Sequence, residues 1–235
     1  MNALITGATK GIGRAIAFKL AEAGYNLAIC ARNADELTEL CSLLQEKYPE
    51  VEIYARATDC ANAQELKLFA EGAQQHFSHI GTLINNVGLY VHGNLLDEAD
   101  GTLQTQMQLN VYTTHYLSKF FGRYMRTSGA GHIVNICSVA GIQPMAAAGA
   151  YSVTKYALMG LTNVLREELK PAGVKVTAII PGSTLTHSWE GTPIAAEHFI
   201  QPEDIAASVL TCLKMSAGAN IDEIVIRPVS NVFNT

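Results

Sequence analysis

The sequence predicts an α/β protein: a doubly wound, seven-stranded parallel sheet with helices on both faces. Three observations carry this. Short β-branched apolar runs alternate with longer stretches of helical periodicity along the 235 residues. The runs are apolar at nearly every position rather than at every second one, as strands are when both faces of a sheet are covered. The stretches between them are long enough for right-handed helical crossovers.

The elements follow in order. Asn2–Thr6 reads as the first strand and 12–23 as the first helix, with Gly24 placed to end it. Asn26–Ala31 is the second strand, and Asn33 is an N-cap for a helix over 33–47. Val51–Ala57 and a helix over 62–78, capped by Asn62, make the third pair. Thr82–Asn85 precedes a long helix over 102–128. His132–Ser138 leads to a helix over 150–170, closed by Pro171 and Gly173. Val174–Ile180, a helix over 202–216 and Glu223–Arg227 complete the pattern. No repeat, low-complexity tract or linker interrupts it, so residues 1–235 are expected to form a single domain.

Composition removes several classes of function. Apolar residues make up 49% and charged residues 16%, which suits a compact enzyme and excludes a disordered chain. The net charge is −5 with no cluster of Lys and Arg, so no nucleic-acid partner is expected. No segment approaches the ~20 apolar residues of a membrane span, and no leader pattern precedes the first strand. A soluble, cytoplasmic protein is expected. Cys30, Cys41, Cys60, Cys137 and Cys212 form no C-x-x-C pair and read as reduced, mostly buried thiols. Strand alternation turns Cys137 to the face opposite Ser138. The seven histidines lack ligand spacing and most of them read as surface or pocket-rim residues, so no metal is expected.

Two motifs carry chemistry. Between the first strand and first helix lies Thr6-Gly7-Ala8-Thr9-Lys10-Gly11-Ile12-Gly13. Glycines there let backbone turn tightly and approach a pyrophosphate, which a helix N-terminus stabilises. The second strand then ends in Cys30-Ala31-Arg32-Asn33, with no carboxylate to bind ribose hydroxyls and repel a 2′-phosphate. Arg32 and Lys10 can instead hold that phosphate, so NADP(H) is the expected cofactor.

The other motif is Tyr151 and Lys155, four residues apart on one helical face, with Ser138 thirteen positions before Tyr151. A phenol has an ordinary pKa of about 10, and a fixed ammonium beside it favours the phenolate. Ser138 adds a hydroxyl for a carbonyl oxygen. The three make a proton-transfer site for carbonyl–alcohol chemistry.

In their order along the chain, these motifs resemble those of the short-chain dehydrogenase/reductase family, and the similarity covers nearly all of it. The resemblance implies a Rossmann fold and hydride transfer from a nicotinamide. Gly7, Thr9, Lys10, Gly11, Ile12 and Gly13 match the family's cofactor loop, and Asp59 matches the residue that meets the adenine amino group. Asn85-Asn86-Val87-Gly88 is similar to N-N-A-G, with Val87 in place of Ala; Asn86 and Gly88 would support the adenine pocket. Pro181-Gly182-Ser183-Thr184-Leu185-Thr186 is similar to P-G-x-V-x-T, whose last Thr holds the carboxamide; Thr184 departs at the Val position.

The resemblance makes Tyr151 the proton donor. Lys155 then tunes that phenol and bonds the nicotinamide ribose, and Ser138 polarises the carbonyl. Asn110 would hold a water relaying protons to Lys155, from a local helix distortion with a free carbonyl. It also implies a short substrate lid over about 183–200, carrying His187, Trp189 and Phe199, above a pocket lined by Tyr90, Val139, Gln143 and Met145.

The first 180 residues look much like 3-oxoacyl-carrier-protein reductases. The end, Ile221-Asp222-Glu223-Ile224-Val225-Ile226-Arg227-Pro228, departs from that group's T-G-x-x-x-x-V-D-G-G and leans toward sepiapterin reductases or 3-hydroxy acid dehydrogenases. A non-catalytic NADP(H) sensor is the alternative of another class. Family members pair the helices here placed at 102–128 and 150–170, which implies a homodimer or homotetramer.

Overall fold

The structure, a computed structural model, describes residues 1–230. The last five positions of the expected domain, 231–235, lie outside the described residues. Seven strands form one sheet in the order β3-β2-β1-β4-β5-β6-β7, and every neighbouring pair is parallel. They are β1 (Asn2–Thr6), β2 (Asn26–Ala31), β3 (Ile53–Ala57), β4 (Thr82–Asn85), β5 (His132–Ile136), β6 (Lys175–Pro181) and β7 (Glu223–Ile226). The order reverses between β1 and β4, which opens a crevice at their carboxyl ends.

The apolar runs of the five inner strands fill both faces as expected, whereas no residue of the edge strands β3 and β7 is fully buried. Leu4 and Ile5 are neighbours in β1, and both are fully buried, on opposite faces. Ile5 packs with Ile16 and Leu20 of α1 (Gly11–Glu22), Leu40 and Leu44 of α2 (Ala34–Lys47), and Ile205 and Val209 of α7 (Pro202–Leu213). Leu4 packs with Phe69 of α3 (Ala63–Phe77) and Phe121 of α5 (Thr113–Ser128). Each such side chain removed from water contributes roughly 1.5–3 kcal/mol. Cys137 is buried beside Leu158 and Met159 of α6 (Gly149–Leu169), and burial pushes its thiol up to about 11.

The caps read from sequence form. Asn33 Oδ1 accepts from the amides of Asp35 and Glu36, at 2.9 and 3.1 Å, and Asn62 Oδ1 likewise from Gln64 and Glu65. Gly24 follows α1 with φ +79°, the left-handed closing turn that favours glycine. Several element ends differ from expectation: β3 starts at Ile53 rather than Val51, and α7 ends at Leu213 rather than near 216. The fifth strand stops at Ile136, because Ser138 leaves the sheet to start a 3₁₀ turn over Val139–Gly141. The long helix is also interrupted, at the distortion expected around Asn110. Its first part is α4 (Thr102–Met107), and a π-helical turn over Gln108–Tyr112 separates it from α5.

At the amino end of the sheet the polar groups close on one another. Asn26 donates to Asn2 Oδ1 at 3.0 Å, and Asn2 donates to the His79 carbonyl at 2.8 Å. Lys175 Nζ reaches the carbonyls of Met215 and Ser216 at 3.2 and 2.6 Å. His132 is buried there rather than at the surface. Thr177 Oγ1 donates to the Ile221 carbonyl at 2.7 Å, so its oxygen accepts from His132 Nε2 at 2.8 Å. Burial, with the Lys175 charge nearby, lowers the imidazole to about 4. No helix among the described residues is long and apolar enough to cross a membrane.

Candidate active site

The predicted site residues gather at the opposite, carboxyl end. The loop after β1 is held by the loop after β4. Thr6 Oγ1 accepts from the amides of Asn86 and Val87 at 3.1 and 3.0 Å, and Asn86 Nδ2 donates to the carbonyls of Thr6 and Gly7 at 2.9 and 3.1 Å. Asn86 is thus a brace for the glycine loop. Gly13 explains why the brace fits: a Cβ there would run into the Gly7 carbonyl oxygen and lie 2.5 Å from Asn86 Nδ2.

Unlike α2 and α3, α1 starts without a side-chain cap and without an acidic residue in its first turn. The amides of Gly11, Ile12 and Gly13 find no acceptor among the described residues. An anion is what such a terminus accommodates, by its free N–H groups and its dipole. These residues fit the pyrophosphate of a dinucleotide.

The two cations expected beside it differ. Arg32 is exposed after β2 and makes no ion pair among the described residues. Lys10 Nζ lies 2.8 Å from Glu36 Oε1. Asp59 accepts from the Ala61 amide at 3.0 Å through Oδ1, which leaves Oδ2 without a partner among the described residues.

The proton-transfer groups converge from β5, α6 and the π turn. Lys155 is only 4% exposed; its Nζ donates to the Ile136 carbonyl at 3.1 Å and stands 5.5 Å from the centre of the Tyr151 ring. Such a buried ammonium needs that acceptor. Gly88 lies alongside: a Cβ there would be 3.3 Å from Asn110 Oδ1 and 3.8 Å from Lys155 Nζ. Ser138 Oγ accepts from the Ala140 amide at 3.1 Å, and its own hydrogen finds no acceptor among the described residues. The Tyr151 hydroxyl is likewise unengaged among them, while Tyr90 meets the Tyr151 ring edge-on at 5.0 Å. Burial and the neighbouring Tyr151 phenol raise Tyr90 above its ordinary value.

Asn110 sits on the π turn, and its side chain is fully committed. Its Oδ1 accepts from the Leu89 amide at 2.7 Å, and its Nδ2 donates to the Leu89 carbonyl and to Thr154 Oγ1, each at 2.9 Å. Thr154 Oγ1 in turn donates to the Tyr151 carbonyl at 2.8 Å. Both amide hydrogens are used in joining the loop after β4 to the helix carrying Tyr151 and Lys155.

A family model described as short chain dehydrogenase matches residues 1–194. The chain belongs to this family. An uncharacterized oxidoreductase of Staphylococcus epidermidis is 31% identical over 227 residues, covering 97% of this chain and 96% of its own length. Another, from Staphylococcus aureus, is 32% identical over the same share of both chains. Among solved structures, an alcohol dehydrogenase from the archaeon Thermococcus sibiricus, complexed with 5-hydroxy-NADP, superposes with TM-score 0.89 at 26% identity over 97% of this chain and 96% of its own. L-sorbose reductase from Gluconobacter frateurii, complexed with NADPH and L-sorbose, gives TM-score 0.89 at 27% identity over 96% and 94%.

The remaining short-chain dehydrogenase positions lie on the lid side. Pro181 ends β6, and the Gly182 amide donates to the Ile226 carbonyl at 2.8 Å. Thr184 is buried and donates to the Gly182 carbonyl at 3.0 Å, so its hydroxyl is spent on the lid's own base. Thr186 lies against the glycine loop, where a Cβ on Gly11 would be 2.9 Å from its Cγ2. Within the lid, Trp189 packs edge-on against Phe199 with ring centres 5.0 Å apart. Sequence reading missed Thr6, Thr154 and Glu36. Thr154 carried the one usable signal, lying between Tyr151 and Lys155 on the same helix.

Proposed function

We propose that this protein reduces a small-molecule ketone or other carbonyl to an alcohol with NADPH. One observation carries the reading. A buried ammonium, Lys155, is held on a carbonyl beside Tyr151, while the hydroxyls of Tyr151 and Ser138 lack acceptors among the described residues. Bound NADPH supplies the hydride.

The chain's own groups do the rest. Tyr151 gives a proton to the carbonyl oxygen, Lys155 favours the phenolate left behind, and Ser138 donates a hydrogen bond to the same oxygen. The uncapped start of α1 takes the pyrophosphate, and Lys155 also bonds the nicotinamide ribose. Asn110 fixes where Lys155 and Tyr151 stand relative to the loop after β4. Thr186 holds the carboxamide from the lid side, and Asp59 offers its free oxygen to the adenine amino group.

The choice of NADPH is supported by Arg32, which makes no ion pair among the described residues, by the missing carboxylate at the end of β2, and by the NADP-type complexes of the structural relatives. A metagenomic short-chain oxidoreductase in complex with NADP, 28% identical with TM-score 0.85, adds to that support. Tyr90, Met145 and the lid aromatics favour a carbonyl with both apolar and polar surface, within reach of 3-oxoacyl, 3-hydroxy acid or sepiapterin-like chemistry. The protein works in the cytoplasm, as a homodimer or homotetramer joined through α5 and α6, whose exposed Tyr124, Val153, Tyr156 and Val164 suit such a joint.

Tyr151→Phe tests the mechanism. Turnover with a carbonyl panel, read by NADPH oxidation, should fall by about 10²–10⁴-fold while NADPH affinity stays near the wild-type value. Near wild-type turnover in that variant would remove Tyr151 from the reaction.

A further inference from the structure

Glu36 is the charged residue in this site that sequence reading assigned no task. It lies in the first turn of α2, where a carboxylate ordinarily serves the helix dipole. Its oxygens are turned elsewhere. Oε1 lies 2.8 Å from Lys10 Nζ and accepts from Asn33 Nδ2 at 3.3 Å; Oε2 accepts from Thr9 Oγ1 at 3.3 Å. Exposed His187, at the start of the lid, also favours the ionised carboxylate, and Lys10 is the main reason Glu36 sits below the usual carboxylate range.

The groups that Glu36 occupies define its meaning. Thr9 and Lys10 are the hydroxyl and the ammonium that the glycine loop turns toward α2. They are also the pair, beside Arg32, with which a phosphate on the adenosine ribose would bond. A carboxylate offers two acceptor oxygens to that pair, and a phosphate monoester offers three. Both anions cannot hold one ammonium at full strength, and each raises the cost of the other nearby. The hold is also light. The Lys10 side chain is 54% exposed and that of Glu36 31%, so water replaces the pair at little cost.

We infer that Glu36 is an internal stand-in for the 2′-phosphate, holding Thr9 and Lys10 until the phosphorylated dinucleotide displaces it, and thereby setting the margin between NADPH and NADH. The inference rests on the NADPH reading above. It has a definite sign. A carboxylate that merely positioned Lys10 for the phosphate would strengthen NADPH binding. One that competes with the phosphate weakens NADPH and leaves NADH, which carries no such phosphate, nearly untouched.

Glu36→Gln keeps the length and polarity of the side chain and removes its charge. Titration calorimetry on wild type and variant, with NADPH, NADH, 2′,5′-ADP and 5′-AMP as ligands, separates the cases. The variant should bind NADPH and 2′,5′-ADP about three- to fivefold more tightly, the range an exposed ion pair supports, with NADH and 5′-AMP unchanged. The gain should shrink as salt is raised and vanish in a Lys10→Ala background. Weaker NADPH binding, or equal gains for NADPH and NADH, would overturn the inference; Glu36→Ala with a thermal melt guards against a folding defect. A wild-type preference for NADH would sink the cofactor reading instead, and the 2′,5′-ADP comparison would still decide the part played by Glu36.

Discussion

The two ends of the sheet are built from the same strands and behave as opposites. At the amino end every polar group named above has a partner: Asn2 with Asn26, His132 with Thr177, Lys175 with two carbonyls. At the carboxyl end the first amides of α1, the hydroxyls of Ser138 and Tyr151, Arg32 and one oxygen of Asp59 lack partners among the described residues. The difference follows from direction. In a parallel sheet the carboxyl end is where strands hand over to helix N-termini, so surplus donors collect there. Satisfied groups hold a fold together, and unsatisfied ones in a crevice are available to a ligand.

The sharpest way to break this contrast is to fill the open end. Gly13→Val puts a side chain against the Gly7 carbonyl and the Asn86 amide, so NADPH affinity should fall by about 100-fold or more, read by fluorescence titration. Affinity within tenfold of wild type would show that the start of α1 is not the anion site.

The closed end breaks with acid. His132 is held neutral down to about 4, whereas an unfolded histidine protonates near 6.5. Between those values the unfolded state binds more protons, so stability is full above about pH 6.5, falls as pH drops toward 4, and levels off below. The loss is on the order of 3 kcal/mol across that window. Urea melts of wild type and His132→Gln should differ by that slope; parallel pH profiles would mean the imidazole titrates freely.

Asn33→Ala gives the smallest effect and sharpens the comparison. It uncaps a helix that starts at the open end but already has its own cap. Stability should drop by about 1 kcal/mol, or roughly 2–4 °C in Tm, with NADPH affinity changed less than in the Gly13 variant.

Much of this was legible in the sequence, for local reasons. Strands with both faces buried show as apolar runs, and Asn33 and Asn62 act on amides two and three residues away. Glycine loop, Tyr151, Lys155 and Ser138 were visible because their spacing is the chemistry. What escaped depends on distant partners. Glu36 meets Thr9 across 27 positions, Asn86 meets Thr6 across 80, and His132 meets Thr177 across 45. The π turn was legible only as a distortion around Asn110; its type escaped because one extra residue within a helical pattern leaves its apolar periodicity nearly unchanged.

The base of the lid is clasped. Leu185 donates to the Ile200 carbonyl at 2.8 Å, Ile200 donates to the Ser183 carbonyl at 3.1 Å, and Thr184 pairs with Ile200. Residues 186–199 therefore leave and re-enter the body through one narrow neck. In engineering terms the neck is a cassette boundary. A segment of different length grafted between Thr186 and Ile200 adds only about 0.6 kcal/mol of closure entropy per doubling, so a library of lids could be screened on an unaltered body that keeps Thr186.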